Sequence, residues 1–181
     1  MAHPRPAKCY RRVAIHAYTR TARRVVKKAF VRGVPGSKIV HFDMGNAQGD
    51  YHYIVKLISK TPVQIRDSAL DSSRIIVNRD LDTVLGMNNY HLQIRAYPHH
   101  VIRENAIISG AGADRLQTGM RHSFGRPIGR AARIKRGQAI MTVKVKNLAE
   151  AEKVRTSYRR VYAKLPTSCA VLIEKIEKTA K

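Results

Sequence analysis

From Met1 to Phe42 the chain carries eleven lysines and arginines and no aspartate or glutamate (Arg5, Lys8, Arg11, Arg12, Arg20, Arg23, Arg24, Lys27, Lys28, Arg32 and Lys38). A block of one charge sign repels itself and cannot build a core, so it reads as an interaction arm. Residues 1–37 are assigned to that arm and residues 38–181 to a single globular domain. Fully extended, the first 36 residues would reach roughly 120 Å at ~3.3 Å each. Thr21 to Val31 suits a helix, but one too cationic to fold unaided. Tyr10, Tyr18 and Phe30 are interleaved with the arginines, as stacking on RNA bases requires.

The imbalance extends to the whole chain: 35 Lys and Arg face 12 Asp and Glu in 181 residues, a formal charge of +23. With 44% hydrophobic residues it is no disordered polycation. Such a chain calls for a polyanion, and nucleic acid is the natural one, because each phosphate contact releases counterions. A membrane surface is the rival. No run approaches the ~20 apolar residues that span a bilayer, and the N-terminus lacks the apolar stretch of a signal peptide. Cys9 and Cys169 form no CxxC and read as two reduced thiols of a cytoplasmic protein.

From Lys38 the pattern becomes globular. Lys38 to Phe42 predicts a short strand, and Asp43 to Asn46 a turn in which Gly45 and Asn46 are able to take positive φ. Asp50 to Lys60 alternates, with Tyr51, Tyr53, Val55 and Leu57 on one face. A long helix follows, capped by Thr61 with Pro62 at its first position and closed by Gly86; its core face is Ile65, Ala69, Ile76 and Val84. Tyr90 to Tyr97 and Gln138 to Lys146 alternate again. The first buries Tyr90, Leu92, Ile94 and Ala96; the second buries Ala139, Met141, Val143 and Val145. Asn147 and Glu150 open a second helix, from about Leu148 to Lys164, by a capping box. Pro166 ends it, and Ser168 to Ile176 forms a last strand. The fold class is an α/β (α+β) two-layer sandwich, a mixed sheet packed on two helices.

Residues 99–137 hold six of the eleven glycines and eight of the basic residues (Arg103, Arg115, Arg121, Arg126, Arg130, Arg133, Lys135 and Arg136) against only Glu104 and Asp114. They read as one long internal loop. Glycine lets backbone approach a partner closely, and arginine offers a planar fork to phosphate. Arg95, Lys144 and Lys146 on outer strand faces read equally as solvated edge charge or as RNA contacts.

An enzyme is the alternative, and the histidines are its best support. His99 and His100 are adjacent, so in extended chain they face opposite sides and cannot share one metal. No spacing with His122, Glu104 or Asp114 resembles a zinc site, and no oriented acid–base pair can be named. Ser109 to Asp114 lacks the phosphate-loop lysine. Neither a cofactor nor a metal is expected. A chromatin-like DNA binder is a third class, disfavoured because the loop offers no recognition helix.

Several long runs resemble a known family. They include Cys9-Tyr10-Arg11, Ala17-Tyr18-Thr19-Arg20, Gly33 to Ile39, Phe42 to Asn46, Tyr97 to Asn105, Gly110 to Arg121 and Phe124-Gly125-Arg126-Pro127. Together they closely resemble the archaeal and eukaryotic L-ten-e family of large-subunit ribosomal proteins, counterpart of bacterial L-sixteen. The resemblance covers nearly the whole chain. It implies a sheet on two helices, a seat on large-subunit rRNA near 5S RNA and the A-site tRNA path, and neighbouring ribosomal proteins as partners. It also implies that the internal loop, matched by Ile102 to Met120, points to the peptidyl-transferase centre and tRNA acceptor ends, with Arg103, Glu104, Asn105, Gly110, Gly112, Asp114, Arg115 and Gln117 facing them. Thr21 to Arg32 departs from the pattern by its length and charge, and is expected to grip a lineage-specific RNA feature. The lack of a long eukaryotic-type tail points to an archaeal origin.

The expected RNA-binding set is therefore Arg11, Arg12, Tyr18, Arg20, Arg23, Arg24, Lys27, Lys28, Arg32 and Lys38 in and beside the arm, and Arg95, His99, His100, Arg121, Arg126, Arg130, Arg133, Lys135 and Arg136 in the domain. The expected role is a non-enzymatic ribosomal component. The runner-up is a free-standing RNA-binding or RNA-processing protein using the histidine-rich loop.

Overall fold

Alternating apolar residues build a five-stranded sheet whose buried side rests on two helices. The computed structural model describes residues 5–13, 16–19, 31–105 and 123–176. In chain order the strands are β1 (Asp43–Gly45), β2 (Tyr53–Ser59), β3 (Val63–Arg66), β4 (Tyr90–Ile94), β5 (His100–Glu104), β6 (Arg126–Ile134), β7 (Ala139–Val145) and β8 (Cys169–Lys175). Helix α1 (Asp67–Val84) lies between β3 and β4, and α2 (Leu148–Val161) between β7 and β8. The large sheet runs β1-β4-β7-β2-β8, and β3-β6-β5 forms a second, three-stranded sheet.

The pairings place Val143 opposite both Val55 and Leu92, and Met141 opposite both Leu57 and Ile94. Those side chains meet Leu70, Val77 and Leu81 of α1 and Val154, Tyr158 and Val161 of α2 in one buried cluster. Two hydroxyls hold helix to sheet: Tyr90 donates to Asp82 of α1 at 2.6 Å, and Tyr158 to the Val55 carbonyl at 3.4 Å. The expected capping box is present, the Asn147 amide donating to Glu150 at 3.2 Å.

Four expectations need correction. The sheet is not mixed, because every pairing among the described residues is antiparallel. Strand β7 inserts between β2 and β4, and β2 between β7 and β8. The α2 crossover therefore joins β7 and β8, which run in the same direction with β2 between them, and α1 leads from the small sheet to β4, which runs parallel to β2 with β7 between them.

The long helix starts at Asp67, not at Pro62. Val63 and Ile65 pair with Ile134 and Ala132 of β6, and this ladder takes the residues that a proline start had assigned to the helix. The buried face of α1 is accordingly Leu70, Ser73, Val77 and Leu81, while Val84 is exposed.

Lys38 to Phe42 is not a strand; Asp43–Gly45, read as a turn, is one. Gly45 does take a positive φ of 80°, but at the end of a strand. A Cβ there would lie 2.3 Å from the Tyr90 carbonyl oxygen, so glycine is what lets β1 come so near β4.

Residues 99–137 are not one loop. Val101, Ile102, Ala131, Ala132 and Ile134 are buried, and β5 pairs with β6 from His100–Ala131 to Glu104–Arg126. Asn105 and Ser123 border the remaining segment, 106–122, which lies outside the described residues.

Gly45 and Gly137 allow a direct test, since both have φ near +80° but only Gly45 has an atom within 4 Å of a virtual Cβ. Gly137→Ala should cost about 1 kcal/mol of backbone strain. Gly45→Ala should cost clearly more, because the Tyr90 carbonyl must also move. Denaturant midpoints of the two variants check the order; equal losses would contradict the close approach of β1 to β4.

Candidate nucleic-acid interface

The three-stranded sheet has two edges, β3 and β5, and the basic arm binds both. The Gln64 amide of β3 donates to the Arg11 carbonyl at 2.8 Å, and the Val101 amide of β5 donates to the Tyr18 carbonyl at 2.9 Å. The Gln64 side chain donates to the Tyr10 carbonyl at 2.9 Å. Edge amides that would otherwise invite foreign strands are thus satisfied by the chain's own N-terminus.

Glu104 anchors the arm. The Tyr10 hydroxyl donates to its carboxylate at 2.6 Å, and Arg5 forms an ion pair with it. The Arg66 guanidinium lies 4.5 Å from the centre of the Tyr10 ring and donates to the Pro6 carbonyl at 3.2 Å. The hydrogen bond from Tyr10 holds the Glu104 carboxyl below its usual range, helped by Arg5. Burial, together with the bond to Glu104, pushes the Tyr10 hydroxyl up to about 12.

Tyr18 is the second anchor. Its amide donates to Nδ1 of His100 at 3.0 Å, and its ring lies 3.6 Å below the Arg103 guanidinium. Burial lowers the pKa of His100, with Arg133 and Arg103 adding to it, so Nδ1 stays an acceptor near neutral pH. His99 packs instead against Tyr97, the rings tilted at 46° with centres 4.4 Å apart, and Tyr97 stacks on Phe42 at 5.2 Å. The two histidines thus have different partners on different sides. Among the described residues no group of three His, Cys, Asp or Glu side chains is placed to hold a metal.

The expected RNA-binding residues fall into three places. Tyr18, His100 and Arg103 come together at the β5 edge. Arg11, Arg12, Arg32, Lys38 and Arg126 are exposed on the arm and the rim of the small sheet. Arg130 sits between them, its Nε donating to the Pro35 carbonyl at 2.9 Å, and Arg133 pairs with Gln64 across β3–β6. Arg95, Lys135 and Arg136 are exposed elsewhere: Arg95 donates to Gln93 at 2.9 Å on the large sheet, while the other two lie in the β6–β7 turn. Arg103 and Glu104, expected in a loop, are residues of β5. Arg20, Arg23, Arg24, Lys27, Lys28, Gly110, Gly112, Asp114, Arg115, Gln117 and Arg121 lie outside the described residues.

Sequence reasoning missed Arg5, Gln64, Arg66 and Phe124. Gln64 and Arg66 had been placed inside a helix, which hid their contact with the arm. A positional signal for Phe124 exists: an aromatic beside Gly125, whose φ is +69° and whose virtual Cβ would lie 2.6 Å from the Glu104 carbonyl carbon. That glycine closes the base of the 106–122 segment.

Because the folded pKa of Glu104 is depressed, its contribution is present above the ordinary glutamate pKa and fades as pH falls through the lowered one. Hydrogen-exchange protection of the Gln64 and Val101 amides, corrected for intrinsic rates, should therefore drop in acid before the large sheet opens. Glu104→Gln should weaken the same protection at neutral pH by about 1–2 kcal/mol, the worth of a charge-assisted bond. Unchanged protection in that variant would mean that the arm is held elsewhere.

The same order of residues is found in known proteins. The large ribosomal subunit protein uL16 of Methanospirillum hungatei is 45% identical over 170 residues, covering 94% of this chain and 95% of that one. Its counterpart in Staphylothermus marinus is 42% identical over 173 residues, covering 96% and 95%. That of Hyperthermus butylicus is 41% identical over 177 residues, covering 98% and 97%. The family model described as ribosomal protein L16p/L10e matches residues 16–172, which takes in the second anchor of the arm, both sheets and both helices. The chain belongs to the ribosomal protein L16p/L10e family.

Proposed function

We propose that this chain is a structural constituent of the large ribosomal subunit, seated on large-subunit rRNA near 5S RNA and the A-site tRNA path. In this reading it is a cytoplasmic component of the translation machinery and does no bond chemistry. The arm and the rim of the small sheet grip rRNA, and the internal loop matched by Ile102 to Met120 approaches the peptidyl-transferase centre and tRNA acceptor ends. Neighbouring ribosomal proteins are its other partners.

The supporting observation is the docked arm. By crossing the small sheet it leaves Arg11 and Arg12 exposed beside the β3 edge and Arg32 and Arg126 exposed on the β5 side, where Glu104 is already taken by Tyr10 and Arg5. Exposed cations beside a satisfied acid suit a polyphosphate backbone. The helical layer is different. Asp71, Asp80 and Glu152 there pair with Arg74, Arg160 and Arg155. The processing-enzyme reading also loses its best base, since Nδ1 of His100 accepts the Tyr18 amide.

Two measurements test this. The protein should co-sediment in stoichiometric amount with large subunits through a moderately high-salt gradient; loss to the top of the gradient would reduce it to a loosely bound RNA-associated protein. Its affinity for isolated rRNA fragments should fall with salt by a log–log slope of roughly 0.7–0.9 per phosphate neutralised. A flat response would remove the electrostatic basis of the proposal.

A further inference from the structure

The second anchor of the arm borders a hollow of about 330 Å³, lined among others by Tyr18, Val31, Arg32, Arg103, Phe124 and Pro127. This is within the ~300–1,000 Å³ range of small-ligand sites. Its floor is apolar, since Val31 is buried, and its rim carries the Phe124 ring, which is 61% exposed.

Arg103 gives the hollow its chemistry. Its guanidinium is held as a plate, 3.6 Å from the Tyr18 ring centre and 5.2 Å from that of Phe124. Two ring faces stabilise a desolvated cation, but they satisfy no N–H. Nη1 of Arg103 is buried and has no hydrogen-bond acceptor among the described residues. The neighbouring carboxylate, Glu104, is engaged by Tyr10 and Arg5. A charged donor left buried and unmatched is costly, and an acceptor placed beside it recovers that cost. Arg32, exposed on the same hollow, adds a second cation, with no ion-pair partner among the described residues.

We propose that this hollow is a single-nucleotide site. It takes one unstacked RNA nucleotide, with the phosphate between Arg103 Nη1 and Arg32 and the base against the Phe124 ring. The inference deepens the rRNA-binding reading and rests on it. An anion alone would meet only the arginines, whereas a nucleotide presents a phosphate and a flat base together, matching two cations beside an aromatic ring that is largely exposed. A base within a duplex cannot reach the ring, so the site selects single-stranded or extruded residues. Because the hollow lies between the arm at Tyr18 and the base of segment 106–122 at Phe124 and Gly125, an inserted nucleotide would tie the two together.

The test uses the full-length chain and a short thiouridine-containing RNA, photo-crosslinked as a single strand and as a duplex, with adducts mapped by mass spectrometry. The expected adduct is in the peptide holding Phe124 and comes from the single strand. UMP should compete it away, and inorganic phosphate at the same ionic strength should not. Phe124→Leu, at an exposed position that should spare the fold, should lose the adduct and weaken single-strand binding roughly tenfold. Arg103→Lys, which keeps the charge but not the plate, should weaken binding in the same direction; its melting temperature reports whether the fold survives.

An adduct mapping only to other peptides, equal labelling of the duplex, or unchanged affinity in Phe124→Leu would overturn the site. Equal displacement by phosphate and UMP would reduce it to an anion site and overturn it as well. Sedimentation separates this failure from failure of the ribosomal reading. If wild-type chain stays on large subunits without the adduct, only the nucleotide site falls. If wild-type chain leaves the subunits, the ribosomal reading falls whatever the crosslinks show.

Discussion

Glu104 faces a problem that its surroundings impose. It lies at the end of β5, beside Arg103 in sequence and opposite Arg126 in the ladder, in a part of the chain dominated by positive charge. It accepts the Tyr10 hydroxyl and the Arg5 guanidinium, and both donors come from the acid-free arm. One carboxylate thereby turns a segment that cannot pack on itself into one that packs on something else. With the arm in place, Gln64 and Val101 at the two sheet edges gain acceptors, and His100 gains the Tyr18 amide. Without it, a three-stranded sheet would expose both edges, and Arg103 would lose a ring it stacks on.

The acids of the chain are placed with the same logic. Asp67, Asp71, Asp80 and Asp82 lie on α1, and Glu150 and Glu152 on α2, which is six of the chain's 12. There they meet arginines of the same layer, as Asp71 meets Arg74 at 2.9 Å and Asp80 meets Arg160 at 2.6 Å. Surface pairs of this kind, here half-buried on at least one side, add little stability, about 0–1 kcal/mol each in the typical case. What they do is neutralise the helical side locally, so that the excess charge lies away from it, on the arm, the small sheet and the open face of the large sheet. The fold thus separates a hydrophobic, charge-balanced body from a cationic working surface.

Much of the body was legible in the sequence, because burial on one side of a sheet leaves a period of two. Val55 and Leu57, Tyr90 to Ala96, Met141 to Val145 and the Asn147–Glu150 start of α2 all follow local rules. The small sheet was not legible. Val63–Arg66 is four residues long and follows a Thr-Pro that suits a helix start; its strand conformation comes from pairing with β6, about 70 residues away. Glycines and arginines at 125–137 resemble a loop in composition, yet Ala131, Ala132 and Ile134 are buried through that pairing. The site suffered for the same reason. Tyr10 and Tyr18 were read as base-stacking residues in a free arm, whereas the Tyr10 ring faces Arg66 and the Tyr18 ring faces Arg103. Phe30 lies outside the described residues.

That pairing of rings with arginines changes how the arm should be understood. An arginine stacked on a ring keeps its charge but loses rotational freedom, so less entropy remains to be lost when it meets a phosphate. Arg66 and Arg103 are fixed in this way, whereas Arg11 and Arg12 remain exposed. Long-range attraction depends on net charge and is screened by salt. A fixed guanidinium with a buried donor adds a short-range preference for a correctly placed acceptor. In the proposed ribosomal role the two kinds of cation would divide the work: the exposed ones would raise the rate and strength of encounter with RNA, and the stacked ones would set the register in which the encounter ends.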